Sequence, residues 1–173
     1  MERIVQTDRL CLRHFLRSDA TDCFAFLSDR ETCYNDGGYE PFAEMDAEYD
    51  LLMQRFASQQ SRYMMVERAS GKVIGTIHLM EAEEPGVWEI GYVVSPGYRR
   101  QGYASEAVRG VCRMLFRELG AVRIIAGTIE SNRPSLAMLE KLGFAFWQRQ
   151  KDAFRHSEQG TVDLLYYWLD AAN

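Results

Sequence analysis

The stretch Trp88-Glu89-Ile90-Gly91-Tyr92-Val93-Val94-Ser95-Pro96-Gly97-Tyr98-Arg99-Arg100-Gln101-Gly102-Tyr103-Ala104 decides the fold. Its first seven residues read as an apolar strand, Ser95-Pro96-Gly97 as a turn, and Tyr98 to Ala104 as a basic, glycine-bearing loop. From Ala104 onward Ala107, Val108, Val111, Cys112, Leu115, Phe116 and Leu119 recur at helical spacing, which predicts a long amphipathic helix stopped by Gly120. A strand that passes through a small-residue loop into a helix leaves several backbone N–H groups unpaired beside the positive end of the helix dipole. Such a point favours an anion, and a phosphate most of all.

Downstream, Val122 to Ile129 is β-branched and nearly continuous, the pattern of a strand buried on both faces. Glu130 to Ser135 then turns the chain into a short helix, capped by Asn or Ser with Pro134 in its first turn, that runs to Gly143. Phe144 to Gln150 and Val162 to Leu169 are expected as two closing strands, joined by a polar loop around Ala153 to Gly160. Upstream, Arg9 to His14 alternates like a first strand. A helix capped by Ser18 or Asp19 follows, with Ala20, Cys23, Phe24 and Leu27 at helical spacing. Asp29 to Met45 reads as an irregular acidic segment with a turn at Asp36-Gly37-Gly38. Glu48 to Ala57 reads as a helix, and Arg62 to Arg68 and Lys72 to Met80 as a hairpin.

With 173 residues and 47% apolar composition, the chain supports one sizeable core, so a single α/β domain over residues 1–173 is expected. A net charge of -5 argues against general nucleic-acid binding, which needs a basic face. No stretch approaches the roughly 20 apolar residues that span a bilayer, and the first residues lack the form of a signal peptide, so a cytoplasmic protein without a membrane partner is expected. The four cysteines, Cys11, Cys23, Cys33 and Cys112, show no metal-ligand spacing and read as reduced thiols; no metal is expected.

Arg99-x-x-Gly102-x-Ala104, the strand before it, Asn132-x-x-Ser135 and Lys141-Leu142-Gly143-Phe144 follow one another in an order that resembles the GNAT superfamily of acyl-CoA-dependent N-acetyltransferases. The details look most like the branch of the Rim-type ribosomal-protein N-terminal acetyltransferases. The likeness is densest from Trp88 to Phe144, and its element order extends from the Thr7-Asp8-Arg9-Leu10-x-Leu12-Arg13 opening to the last strands. It implies a GNAT-like mixed α/β fold, a central splayed sheet of about seven strands flanked by about four helices. Acetyl-CoA would be the acyl donor. Its pyrophosphate would lie on the N–H groups of the loop and first helical turn, from Arg100, Gln101, Gly102, Tyr103 and Ala104 to Ser105, with Arg99 and Arg100 adding charge. Its pantetheine would pair with the backbone of Val93 and Val94, and Asn132 would orient the acetyl end.

Direct transfer needs a neutral amine, whereas amines are mostly protonated at neutral pH, so a base or a water relay must take a proton. Glu89 is the first candidate. Strand alternation places it on one face with Gly91, whose missing side chain leaves room, while Trp88, Ile90 and Tyr92 face the other way. A structural Glu at the strand start is the alternative. Ser135 is the candidate to protonate or stabilise the departing thiolate, with helix capping as the alternative for it and Asn132. His78 is a lone strand histidine, more readily explained by hydrogen bonding. In one N-terminal acetyltransferase subgroup a Glu five residues before the Asn and a Tyr seven after it act as base and acid; Gly127 and Leu139 stand there here, so that assignment does not transfer.

The expected activity is acetyl transfer to a primary amine, a protein N-terminus or a small molecule. Asp36, Glu40 and Glu44 would steer a cationic acceptor, or be mere surface. A CoA-binding regulatory module without catalysis and a nucleotide-binding protein are the competing classes, the latter disfavoured by the absence of a P-loop or G-x-G-x-x-G turn. The apolar run Leu164 to Leu169 would suit the edge of a homodimer or burial inside the monomer.

Overall fold

The computed structural model of the protein describes residues 4–36 and 38–171. Among them, eight strands form one sheet: β1 (Val5–Gln6), β2 (Leu10–Arg13), β3 (Arg62–Glu67), β4 (Val73–Glu81), β5 (Val87–Val94), β6 (Arg123–Ile129), β7 (Ala145–His156) and β8 (Gly160–Asp170). Their order is β1-β2-β3-β4-β5-β6-β8-β7, and every pair is antiparallel except β5 with β6. The five α-helices among the described residues are α1 (Ala20–Leu27), α2 (Arg30–Asp36), α3 (Ala47–Ser58), α4 (Tyr103–Glu118) and α5 (Arg133–Lys141).

Strand alternation sorts the apolar side chains into two cores. Leu10, Leu12, Met65, Ile77, Ile90, Ile124 and Ala126 pack under Ala107, Val108, Val111 and Leu115 of α4 and Leu136 and Leu139 of α5. On the other face Met64, Val66 and Val73 pack under Cys23, Phe26 and Leu27 of α1 and Tyr49, Met53 and Phe56 of α3. The helical period read from the sequence therefore locates the buried faces of α3 and α4.

The sheet expected with about seven strands has an eighth in β1, whose two residues are too short to show alternation. Four expectations are corrected. The fifth helix, α2, lies inside the segment expected to be irregular; the Asp29 carboxylate accepts from the Thr32 N–H at 2.8 Å and hydroxyl at 2.7 Å and starts it. Gly37 of the expected turn lies outside the described residues. Asp19 does not cap α1: its carboxylate takes the Leu16 N–H and a bidentate Arg13 pair at 2.7 and 2.9 Å. β7 runs on to His156, so the polar loop from Ala153 shrinks to a hairpin turn after a bulge between Gln150 and Phe154. β8 is not an edge, because β6 and β7 flank it; its apolar run is explained within the monomer, and β7 is the edge strand at that end of the sheet. Cys23, Cys33 and Cys112 are buried free thiols, and Cys11 is half-buried. No helix among the described residues is long and apolar enough to cross a membrane.

The start of α4 is held to the start of the chain by Glu106. Its carboxylate accepts the Thr7 hydroxyl at 2.6 Å, the Arg9 N–H at 2.7 Å and Arg9 Nε at 2.7 Å. Burial alone would raise the Glu106 pKa, but the hydrogen bonds from Thr7 and Arg9 hold it below its ordinary value. Stability from this carboxylate is therefore present above the unfolded-state value and lost as pH falls through the lower folded-state one. Glu106→Ala is expected to cost about 1–3 kcal/mol at neutral pH, with a smaller difference from the parent in acid, read by urea denaturation at several pH values.

Candidate active site

β5 and β6 pair from Val87 with Arg123 to Ile90 with Ala126, and no further. Beyond that point each strand keeps only its outer neighbour: β5 stays on β4 to Val94, and β6 stays on β8 to Ile129. The sheet is split there, as expected of a splayed centre. Val87 and Ser95 bond to β4's side, with Ser95 N–H donating to Ile74 O at 2.8 Å and Val87 O accepting from Ala82 at 2.9 Å. Alternation then turns the backbone groups of Glu89, Gly91 and Val93 toward β4, and those of Tyr92 and Val94 into the gap. The Val94 carbonyl meets Arg99 Nε at 3.4 Å there. Of the expected pair Val93 and Val94, only Val94 thus turns its backbone to the gap, its carbonyl already met by Arg99; Val93 lends its side chain to the α1/α3 face.

The loop after β5 makes a turn of 3-10 helix at Pro96–Tyr98 and reaches α4 through two left-handed residues, Arg100 at φ 59° and Gly102 at φ 83°. Gly102 caps α4 without a side chain, so the N–H groups of Tyr103, Ala104 and Ser105 have neither an intrahelical partner nor a side-chain cap. A non-glycine residue in the left-handed region is the kind of local cost found where a loop is shaped for binding. Arg100 is exposed at this loop. The other basic residue, Arg99, is engaged elsewhere: its guanidinium bonds Asp29, Glu31 at 2.7 Å and Thr32 at 2.5 Å, tying the loop to the start of α2. Gln101 folds back, its Nε2 donating to Gly97 O at 2.9 Å. The Tyr103 ring is buried, bonded to Glu67 and covered by the Arg9 guanidinium at 4.2 Å. Arg9 was not among the expected site residues; it also bonds Gln101 O at 2.9 Å, and only the fold brings it there.

The two faces of the gap differ in chemistry. On the α1/α3 face two glycines stand side by side beyond the last β5–β6 pair. A Cβ on Gly91 would lie 2.3 Å from His78 Cε1, and one on Gly127 would lie 2.8 Å from Tyr166 Cε1, so each strand carries an aromatic ring laid against its backbone. The room expected beside Gly91 is filled by His78. Burial and Arg62 push the His78 pKa down to about 4, leaving a neutral imidazole at neutral pH. Glu89 sits on this face, half-buried. Burial alone raises its pKa, and its charge in turn helps raise that of Tyr166 beyond what burial does. Tyr166 was missed by sequence reasoning, because only the register Gly127 with Tyr166 places it by the gap.

On the α4/α5 face, Tyr92 reaches across to α5, where its hydroxyl lies 2.7 Å from Ser135 Oγ. Asn132 caps α5, its side chain accepting from the Ser135 N–H at 3.3 Å. Asn132 thus acts as the cap, while the Ser135 hydroxyl pairs with Tyr92. Strand alternation already separates Tyr92 from Glu89; its partner could not be read from sequence.

α2, the residues after it and the last hairpin close the α1/α3 face. Ser157 donates to Gly38 O at 2.8 Å, Arg30 pairs with Glu158 at 2.8 Å, and the Tyr34 and His156 rings meet edge to face at 5.7 Å. Next to them lies a cavity of about 540 Å³ with Val93 and Thr76 at one wall; Asp36, Glu40, Glu44, Asp46 and Glu48 line it against Arg55 and Arg62. Among the described residues no cluster of three or more His, Cys, Asp or Glu side chains could hold a metal ion.

Comparison with known proteins agrees with this geometry. The family model described as an acetyltransferase (GNAT) domain matches residues 9–145. The uncharacterized N-acetyltransferase YoaA of Bacillus subtilis is 34% identical over 148 residues, covering 82% of this chain and 82% of YoaA. Among solved structures, a GNAT-family acetyltransferase from Bacillus anthracis superposes with a TM-score of 0.85 at 23% identity, covering 97% of this chain and 98% of that one. A putative ribosomal-protein-serine acetyltransferase from Vibrio cholerae does so with a TM-score of 0.79 at 19% identity, covering 98% of each. The split sheet, the uncapped start of α4 and the match over most of the chain lead to one conclusion: this chain belongs to the GNAT acetyltransferase family and is an acyltransferase.

Proposed function

We propose that the protein moves an acetyl group from acetyl-CoA to a primary amine by direct attack in a ternary complex. The observation that carries this reading is the gap itself, which offers free strand backbone to a donor, a half-buried carboxylate on one face and a hydroxyl pair on the other. The donor pyrophosphate rests on the N–H groups from Arg100 to Ser105, with Arg100 supplying charge and Arg99 holding the loop to α2. Pantetheine pairs with the backbone of Tyr92 and Val94, and Asn132 orients the acetyl end. The thioester then lies between Glu89 and Ser135.

The amine nitrogen attacks the thioester carbon, a C–N bond forms, and the C–S bond breaks with its electron pair passing to sulfur. Glu89 takes the proton that the nitrogen must lose, directly or through one water. Ser135 donates a hydrogen bond to the sulfur, whose free thiol titrates near about 8.5. The Gly127 and Leu139 departures fit this division, because the base comes from β5 instead of β6 and the leaving-group hydroxyl from Ser135, about one turn before Leu139 on the same helix α5. The likeness to a ribosomal-protein acetyltransferase supports a protein N-terminus as one acceptor class, and the carboxylate-lined cavity supports an acceptor that carries further positive charge.

Activity is expected to need ionised Glu89, so the acid limb of kcat/KM should lie above the ordinary carboxylate range. Glu89→Gln should remove that limb and lower kcat/KM by about 10²–10⁴-fold. Because the folded-state pKa of Glu89 is raised, its ionisation costs stability once pH climbs through that value. The same variant should therefore melt higher than the parent at pH 7 and together with it near pH 4; a lower melting temperature at pH 7 would assign Glu89 a structural role.

If the cavity selects charge, Glu40→Gln with Glu44→Gln should raise KM several-fold for a diamine or a basic N-terminal peptide and leave KM for a monoamine of equal length unchanged, with the difference shrinking as salt is added. Steady-state thiol release with matched acceptors measures both.

A further inference from the structure

We infer that Tyr92 is the positioning residue of the leaving-group step: it holds Ser135 so that the serine's own proton points at the departing sulfur. The inference rests on the donor placement proposed above.

Four observations lead to it. Tyr92 and Ser135 come from elements on opposite sides of the gap, and their oxygens are 2.7 Å apart. Tyr92 lies past Ile90, the last residue of β5 paired with β6, and so beside the open part of the gap. Its side chain is on the face opposite Glu89, where a leaving group departs from an amine attacking past that carboxylate. The backbone of Ser135 is fixed by the cap, its N–H bonded to Asn132 O at 3.1 Å and Asn132 Oδ1 at 3.3 Å, so the hydroxyl rotor is the freedom left to set.

A serine hydroxyl has one proton to give and two lone pairs to accept with. A phenol is a better donor than an aliphatic alcohol, so Tyr92 O–H donates to Ser135 Oγ and leaves the serine proton free. Burial pushes the Tyr92 pKa up to about 12, which keeps the phenol protonated across the working range. It also keeps the proton where it is, because a group titrating that high does not yield to a thiolate near about 8.5. Tyr92 and Ser135 therefore end the step as they began it. The sulfur leaves as a hydrogen-bonded thiolate and is protonated by solvent on release, while the amine proton goes to Glu89.

The test compares binding of CoA and of desulfo-CoA, which lacks only the thiol, by calorimetry from pH 6.5 to 9.5. In the parent, CoA should bind about tenfold tighter than desulfo-CoA once the bound thiol ionises, at a pH below that of free CoA. Tyr92→Phe should abolish this preference while leaving desulfo-CoA affinity within twofold of the parent, and should lower kcat with acetyl-CoA without raising its KM. Ser135→Ala should behave alike, and the double variant should be no worse than either. A Tyr92→Phe protein that keeps the preference, or that weakens both ligands equally, overturns the inference. A parent that binds both ligands without preference overturns it too and leaves the donor site standing. A parent that binds neither overturns the donor site as well.

Discussion

The parting of β5 from β6 after Ile90 and Ala126 is the constraint on which the rest depends. Unpaired strand backbone inside a domain is costly, because every buried N–H and C=O needs a partner. Here the cost stays confined to one short edge on each strand, since β4 holds β5 through Val94 and β8 holds β6 through Ile129. Each strand then feeds a helix on the same face, α4 from β5 and α5 from β6, so the gap is bordered by two helix N-termini. An extended donor with amides in its middle and phosphates at one end matches such a border, because the strand edges supply pairing and the start of α4 supplies unpaired N–H groups.

Much of this frame was legible because it rests on local chemistry. The period of α4, the apolar run of β6 and the Asn132 cap of α5 depend on residues within one or two turns, and each stands where the spacing put it. Alternation along β5 likewise separated Glu89 from Tyr92. The errors arise where a residue's partner is far away in sequence. Arg99 reads as a phosphate ligand until Asp29, Glu31 and Thr32 are brought to it by α2. The room beside Gly91 disappears because β4 lays His78 across it, and Tyr166 reaches the gap through a register that sequence spacing does not encode. The helix α2 was hidden by the turn signal at its end, although Asp29 before it and Thr32 in its first turn stand at cap spacing.

Electrostatics divides the molecule in the same way as the gap does. Unpaired N–H groups and Arg100 collect at the start of α4, while carboxylates collect on the α1/α3 face around the cavity. Arg99 joins the two regions, one side of its guanidinium facing the carbonyl of Val94 at the end of β5 and the rest held at α2. Glu106 and Arg9 do the same at the base of α4, fixing the loop from behind. Tyr92 and Ser135 close the far side of the gap with two hydroxyls 2.7 Å apart.

Amide hydrogen exchange with and without CoA tests the placement of the donor most directly. CoA seated in the gap should slow exchange at Tyr92 and Val94, whose N–H groups face it, and at Gly102 to Ser105, and leave Gly91 and Val93, already paired to β4, unchanged. Protection confined to the α1/α3 face, or absent from both Val94 and the start of α4 at saturating CoA, would contradict it.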